Sequence, residues 1–316
     1  MRRLDEHPFY GFAMALLTAL MWGVLPVVFT LLRGGPDVKA VTWVRFAFSA
    51  LVVWLFLWQR GKLPALASWQ WRDWLTLGFA VFFLAGNFIL YLLGLELISP
   101  EATAVMIQLA PFILMFGSVF IYGERFAPIE WIGAAVLFVG LVMFFNDRLA
   151  LLLQALTAET LGILYILFAA VSWGIYGLLQ KPLLRKTGSV ELTLLMYGGG
   201  ALMLLPVSAA STLLDMNAVQ GAAVLFGCLN MVIGYGAFTE ALRVWQGAKV
   251  SAVIALAPII TIACMQLAVL LWPGHFASSG LNLWAYVGAA LVVCGSMLAA
   301  LGKQKKRAPL PSPPSD

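Results

Sequence analysis

At 316 residues, 62% hydrophobic and only 10% charged, with a mean hydropathy of +0.95, the chain lacks the polar surface to cover a water-soluble globule, since soluble domains carry about 25% charged residues. That composition indicates an all-α integral membrane protein. The net charge of +5 implies no nucleic-acid partner, because the basic residues sit in short loops between apolar spans, where membrane insertion places them.

Apolar runs of about twenty residues, the length that crosses a bilayer core, lie at 9–32, 40–58, 74–95, 102–122 and 128–145, then at 161–180, 191–213, 221–242, 250–272 and 281–301. They predict ten transmembrane helices. The first run is too long for a signal peptide, has no small-residue cleavage site and recurs as the sixth, so it reads as a mature helix. Most connections are a handful of residues, too short for an extramembrane domain. The longest, Asn146 to Thr160, carries LALLLQAL, which suits a short helix lying along the interface. The tail GKQKKRAPLPSPPSD is basic and then proline-rich, suited to anionic headgroups at its start and to disorder at its end. Cys228, Cys264 and Cys294 fall inside apolar stretches without a paired spacing and read as small buried hydrophobes.

The stretch GFAMALLTALMWG returns as GILYILFAAVSWG, so that Gly11 pairs with Gly162, Trp22 with Trp173 and Gly23 with Gly174. Ala110-Pro111 returns as Ala257-Pro258, and Gly133 with Gly140 returns as Gly288 with Gly295, at a spacing that keeps each pair on one helix face. These ordered landmarks divide the chain into a first five-helix unit at 1–146, an outer linker at 147–160, a second unit at 161–302 and a cytoplasmic tail at 303–316. Five spans is an odd number, so the second unit enters the bilayer from the side opposite to the first. The expected architecture is two inverted five-helix repeats, a transporter construction with the binding site where the repeats meet. With both termini in the cytoplasm, only Arg33, Lys39 and Arg148 fall in outer loops, and Arg45 lies within a span; this is the asymmetry of positive-inside insertion. The expected location is the plasma membrane, in a bacterium the inner membrane.

The paired WG spans, the arginine of TWVRFAFSAL, the AP of the fourth and ninth spans and the GER at Gly123 to Arg125 together resemble the EamA type of the drug/metabolite transporter superfamily, over essentially the whole chain. The resemblance implies ten helices in two inverted repeats, a central cavity and movement of small metabolites, often export of amino acids. The chain departs from the pattern where the ninth span ends Leu271-Trp272-Pro273, with no second GER. Glu124-Arg125 reads as a helix-end charge that fixes depth.

Ionisable groups inside a bilayer are costly and mark functional candidates. Arg45 lies about one and a half turns inside the outer end of the second span, near the depth of Glu96 and Glu101. It either snorkels or pairs statically with Glu101, or the two form an outer gate. Glu240, near the cytoplasmic end of the eighth span, stands where the first repeat has Leu93. It binds a coupling proton, attracts a cationic substrate, or pairs with Arg243 one turn along. Trp22 and Trp173 lie too deep for the interfacial girdle that Trp54, Trp58, Trp69, Trp71, Trp74 and Trp284 suit. Asn87 and Tyr91 share a face of the third span, Asn230 and Tyr235 bring similar chemistry to the eighth, Gln108 precedes Pro111, and Tyr176 and Gln180 follow Trp173. Amides and phenols in lipid need partners, so each is helix-to-helix glue or a substrate contact; the resemblance places their spans around the cavity. Pro111 and Pro258 remove a donor and free the carbonyls of Ile107 and Ile254, as fixed kinks or as hinges.

The implied cavity is lined by aromatics and amides, with almost no buried cation. Nucleotide sugars and sugar phosphates need Arg or Lys partners and do not fit. Neutral zwitterions, neutral and aromatic amino acids among them, suit the inventory, and choline-like organic cations suit it nearly as well through cation–π contact. A lipid flippase is a further reading that a cavity open sideways would favour. An enzyme is not expected: His7 and His275 lie outside the spans, no span holds a pair of Asp residues, and no phosphate-binding loop occurs. The expectation is a secondary transporter working by alternating access about a site between Trp22 and Trp173, with no cofactor or metal. Its partners are a small-molecule substrate, the lipid bilayer and, where Glu240 couples, protons.

Overall fold

The computed structural model describes residues 8–123, 127–146, 157–245 and 247–302. Glu124-Arg125, the LALLLQAL stretch of the linker and the tail from 303 lie outside the described residues. Among the described residues every regular element is helical. The spans are Pro8–Phe29, Val38–Gln59, Trp71–Leu97, Pro100–Met106 followed by Leu109–Tyr122, and Pro128–Phe144 in the first half. The second half supplies Ala158–Leu183, Ser189–Leu204, Ala218–Leu229 running through Asn230–Gly234 to Tyr235–Val244, Gly247–Ile254 followed by Ala257–Leu271, and Leu283–Gly302. With the seventh counted through its 3₁₀ turn to Val207, nine spans among the described residues are long and apolar enough to cross a membrane, and Pro128–Phe144 is a shorter apolar helix within the spanning range. An even number of crossings brings Pro8 and Gly302 to the same face, called here the terminal face.

Local chemistry sets the helix ends. Asp37 caps the second span by accepting from the Lys39 and Ala40 amides at 2.7 and 3.2 Å. Ser99 with Pro100 opens the fourth span, Thr157 the sixth, and Asn217 with Gln220 forms a capping box on the eighth. Gly123 ends the fourth span at φ 64°, a left-handed turn that costs glycine nothing. The seventh span stops at Leu204, short of the expected 213, because Pro206 cannot continue an α-helix and the chain tightens into 3₁₀ turns at Leu205–Val207 and Ala210–Leu213.

The helix pairings carry the inverted repeat. The first span packs on the eighth and ninth, and its counterpart, the sixth, packs on the third and fourth. The second packs on the seventh, the fifth on the tenth and the fourth on the ninth; each of these pairs consists of equivalent spans, as a twofold relation between the halves requires. The fifth–tenth contact is built on the repeated glycines. A Cβ on Gly133 would lie 2.6 Å from the Gly295 carbonyl oxygen, and one on Gly288 would lie 2.4 Å from the Phe144 nitrogen. Small residues at such spacing let two backbones touch, the main source of helix association where lipid removes the hydrophobic drive.

The fourth and ninth spans are broken rather than kinked. The turns at Ile107-Gln108 and Ala255-Leu256 interrupt the helices just before Pro111 and Pro258. The expected free carbonyl at Ile107 is not free, since it accepts from the Ala110 amide at 2.9 Å.

Candidate functional site

The glycine after each repeated tryptophan brings a broken helix close. A Cβ on Gly23 would lie 2.8 Å from the Ala257 carbonyl oxygen of the ninth span, and one on Gly174 would lie 2.6 Å from Ile113 of the fourth. The Gly23 carbonyl also accepts from Thr261 Oγ1 at 2.7 Å. The two breaks meet each other as well, because Gln108 Nε2 reaches the carbonyl of Ala255, its counterpart in the second repeat, at 3.4 Å.

Trp22 faces the eighth span, its ring 5.1 Å from Tyr235 and 5.7 Å from Phe238. Just before Tyr235 the eighth span makes one π-helical turn, Asn230–Gly234, a feature frequent at functional sites. The first span holds that turn at both ends: Asn230 Nδ2 donates to the Met21 carbonyl and Thr18 Oγ1 donates to the Gly234 carbonyl at 3.2 Å. Tyr235 stands edge-on to Tyr197 of the seventh span at 6.5 Å, Tyr197 lies 5.8 Å from Phe46, and Phe46 lies 5.1 Å from Phe88. An aromatic row therefore runs from the first span to the third. On the sixth span, Trp173 lies edge-on to Tyr176 at 6.5 Å, and Gln180 donates to the Tyr176 hydroxyl.

The two asparagines serve differently from these rings. Asn87 Nδ2 donates to the Ala169 carbonyl at 2.8 Å, tying the third span to the sixth, as Asn230 ties the eighth to the first. Both are buried, and each bond joins two spans, the arrangement of helix-to-helix glue. Tyr91, half-buried, packs where two core clusters meet.

Arg45 departs from expectation. It neither snorkels nor pairs with Glu101; it is 3% exposed, with its guanidinium 4.8 and 4.9 Å from the Phe29 and Phe88 ring centres and its Nε donating to the Gly227 carbonyl at 3.3 Å. Eighth, first and third spans close over it, which depth along its own helix does not disclose. The expectation of almost no buried cation is corrected accordingly. Glu101 is fully buried at the face opposite the termini, where Oε1 accepts from Ser279 at 2.8 Å and Oε2 has no partner among the described residues. The segment that carries Ser279 also packs Phe276 with Val27 and Met265, and Asn282 donates to Asn146 at 3.0 Å. Arg33 in the adjoining loop donates to the Leu95 and Ile98 carbonyls at 2.6 Å each, capping the third span. Burial lowers the Arg33 pKa, and the charges of Glu96 and Glu101 oppose that shift. Glu240 is bound by Arg243, Nε to Oε2 at 2.7 Å, and receives the Tyr10 hydroxyl at 3.4 Å; of its expected roles, the ion pair is the one the geometry displays.

Other expectations divide. Trp69 is buried while Trp54, Trp58, Trp71, Trp74 and Trp284 are exposed as a girdle requires, and of the cysteines only Cys228 is buried, with Cys264 intermediate and Cys294 exposed. Sequence reasoning missed Tyr197, Phe46 and Phe88. The available signal was Tyr197 before three glycines, of which Gly199 and Gly200 allow Val81 and Phe46 to approach within 2.9 and 3.2 Å of where a side chain would begin.

The profile of the EamA-like transporter family matches residues 9–146 and 160–301. The chain is 37% identical over 293 residues to the uncharacterized inner membrane transporter YhbE of Escherichia coli K12, covering 92% of this chain and 91% of that one. It is 33% identical over 299 residues to an uncharacterized transporter of Haemophilus influenzae, covering 95% and 97%. A probable amino-acid metabolite efflux pump of E. coli K12 is 22% identical over 307 residues, covering 93% of this chain and 96% of the pump. A solved chain described only as a crystal structure of a protein superposes with a TM-score of 0.62 at 20% identity, covering 94% of this chain and 99% of that one, which bears on fold alone. A helical membrane architecture with pairings related between its halves, and relatives matched along nearly their whole length, lead to one conclusion: this chain belongs to the EamA-like transporter family.

Proposed function

We propose that the chain is a secondary-active carrier of small zwitterions with aromatic or apolar side chains, neutral and aromatic amino acids foremost, and that it exports them. The observation that carries this reading is the aromatic row from Trp22 through Tyr235 and Tyr197, set beside the break-to-break contact of the fourth and ninth spans. Rings there can stack on an apolar side chain, and Gln108, Trp173 and Tyr176 supply polar contacts around the axis relating the halves. Discontinuous helices meeting at midspan are where such carriers bind their cargo. The two repeats, 1–146 and 161–302, would rock about this site, with Pro111 and Pro258 marking the flexible joints and Glu101 in the outer closure. Placing the termini in the cytoplasm rests on the distribution of Lys and Arg. The direction of transport rests on likeness to the distant probable amino-acid metabolite efflux pump. Choline-like cations fit less well than the sequence alone suggests, because the buried guanidinium of Arg45 repels them.

The test is counterflow of labelled L-phenylalanine, L-leucine and choline in proteoliposomes, for wild type and Trp22→Ala, with and without a pH gradient. Amino-acid exchange lost in the variant supports the reading. Choline exchange alone overturns it, and flux of neither redirects attention to lipids.

A further inference from the structure

We infer that Arg45 is the anchor for a carboxylate on the transported molecule, and that this contact selects acids over the corresponding cations. The inference rests on the carrier reading above and deepens it. Arg45 is a cation with 3% of its surface exposed, in a protein whose described residues place no carboxylate against it. The groups in electrostatic contact with its charge are the thiol of Cys228 and the hydroxyls of Tyr91, Tyr197 and Tyr235, all neutral near pH 7. A guanidinium has five N–H donors, and only Nε is engaged, at 3.3 Å to the Gly227 carbonyl. The terminal nitrogens donate to no protein atom among the described residues. Phe29 and Phe88 hold the group in place at 4.8 and 4.9 Å; ring faces steady a cation but cannot neutralise it.

A second orphan donor lies in the aromatic row. Trp22 Nε1 is buried without a partner among the described residues; it lies 3.0 Å from where a Cβ on Gly234 would begin, with its ring 5.1 Å from Tyr235. Trp69 and Trp245 also have unpartnered Nε1 atoms, but neither belongs to the aromatic row. Donors without acceptors call for an acceptor-rich ligand, and an uncompensated buried cation calls for an anionic one. A carboxylate meets both needs, because its two oxygens match the guanidinium fork. The neighbouring rings then take the apolar remainder.

The test is binding to the purified full-length protein in detergent, read as thermal stabilisation across a ligand titration. The probes are L-phenylalanine, 3-phenylpropionate, which keeps only the carboxylate, and L-phenylalanine amide, which lacks it. The two acids are expected to bind about ten- to a hundredfold more tightly than the amide, the usual value of a hydrogen bond to a charged group. Arg45→Gln abolishes that preference while Arg45→Lys retains part of it, and the wild-type series decides the matter should Arg45→Gln not fold. An amide that binds as tightly as the acids, or an acid preference that survives in Arg45→Gln, overturns the anchor and leaves the carrier reading standing if L-phenylalanine still exchanges. Binding of 3-phenylpropionate without L-phenylalanine keeps the anchor and overturns the zwitterion. No binding of any probe overturns both.

Discussion

Arg45 and Asn87 show what single residues in this chain disclose. That both needed a partner was legible, because polar groups in lipid must be satisfied. Which partner was not, because the answer lies on other spans: Ala169 of the sixth for Asn87, Gly227 of the eighth for Arg45. Asn87→Leu removes one interhelical bond and is expected to cost about 0.6 kcal/mol, up to about 1.7, measured as a lowered melting temperature in detergent. Folded Asn87→Leu protein should keep its affinity for substrate, whereas a raised KM would make Asn87 a substrate contact. Glu240, tied to Arg243 at a solvent-accessible helix end, is expected to matter little. Counterflow by Glu240→Gln should keep the wild-type response to a pH gradient; loss of that response would restore its coupling role.

Among the elements, the glycine landmarks were the most legible, because a backbone contact tolerates no Cβ and leaves the same residue at both equivalent positions. Gly133 with Gly295 and Gly140 with Gly288 interlock the fifth and tenth spans. Gly288→Ala pushes a methyl group to within 2.4 Å of the Phe144 nitrogen and is expected to destabilise by about 1–3 kcal/mol through overpacking. Gly78→Ala, with nothing within 4 Å of the added carbon, serves as the control and should hold or slightly raise the melting temperature, since alanine favours helix. Equal melting temperatures for the two variants would show that the fifth–tenth contact tolerates separation. The breaks before Pro111 and Pro258 were only half legible. A proline predicts a lost hydrogen bond, but whether the chain bends or parts depends on what meets the gap, here Gln108 and the Ala255 carbonyl. Tyr197 carried only the weaker signal of the three glycines that follow it, because no periodic polar face marked it.

At the scale of the whole molecule, ten apolar runs and an ordered repeat carried the fold, since bilayer thickness fixes span length and an odd-numbered unit fixes inversion. Orientation is argued from Lys and Arg alone. Alkaline phosphatase fused after residue 302 should be inactive in cells, and the same reporter inserted in the 205–217 connection should be active; the reverse pattern would invert the topology. Alternating access is the central claim, and one position tests it most directly. Gln108→Cys, in a background with Cys228, Cys264 and Cys294 replaced by serine or alanine, places a single thiol where the two broken helices meet. A membrane-impermeant thiol reagent applied separately to each side of oriented vesicles should label that thiol from both sides, and added substrate should slow labelling from both. Labelling from one side only, unchanged by substrate, would contradict a carrier whose halves rock about this site.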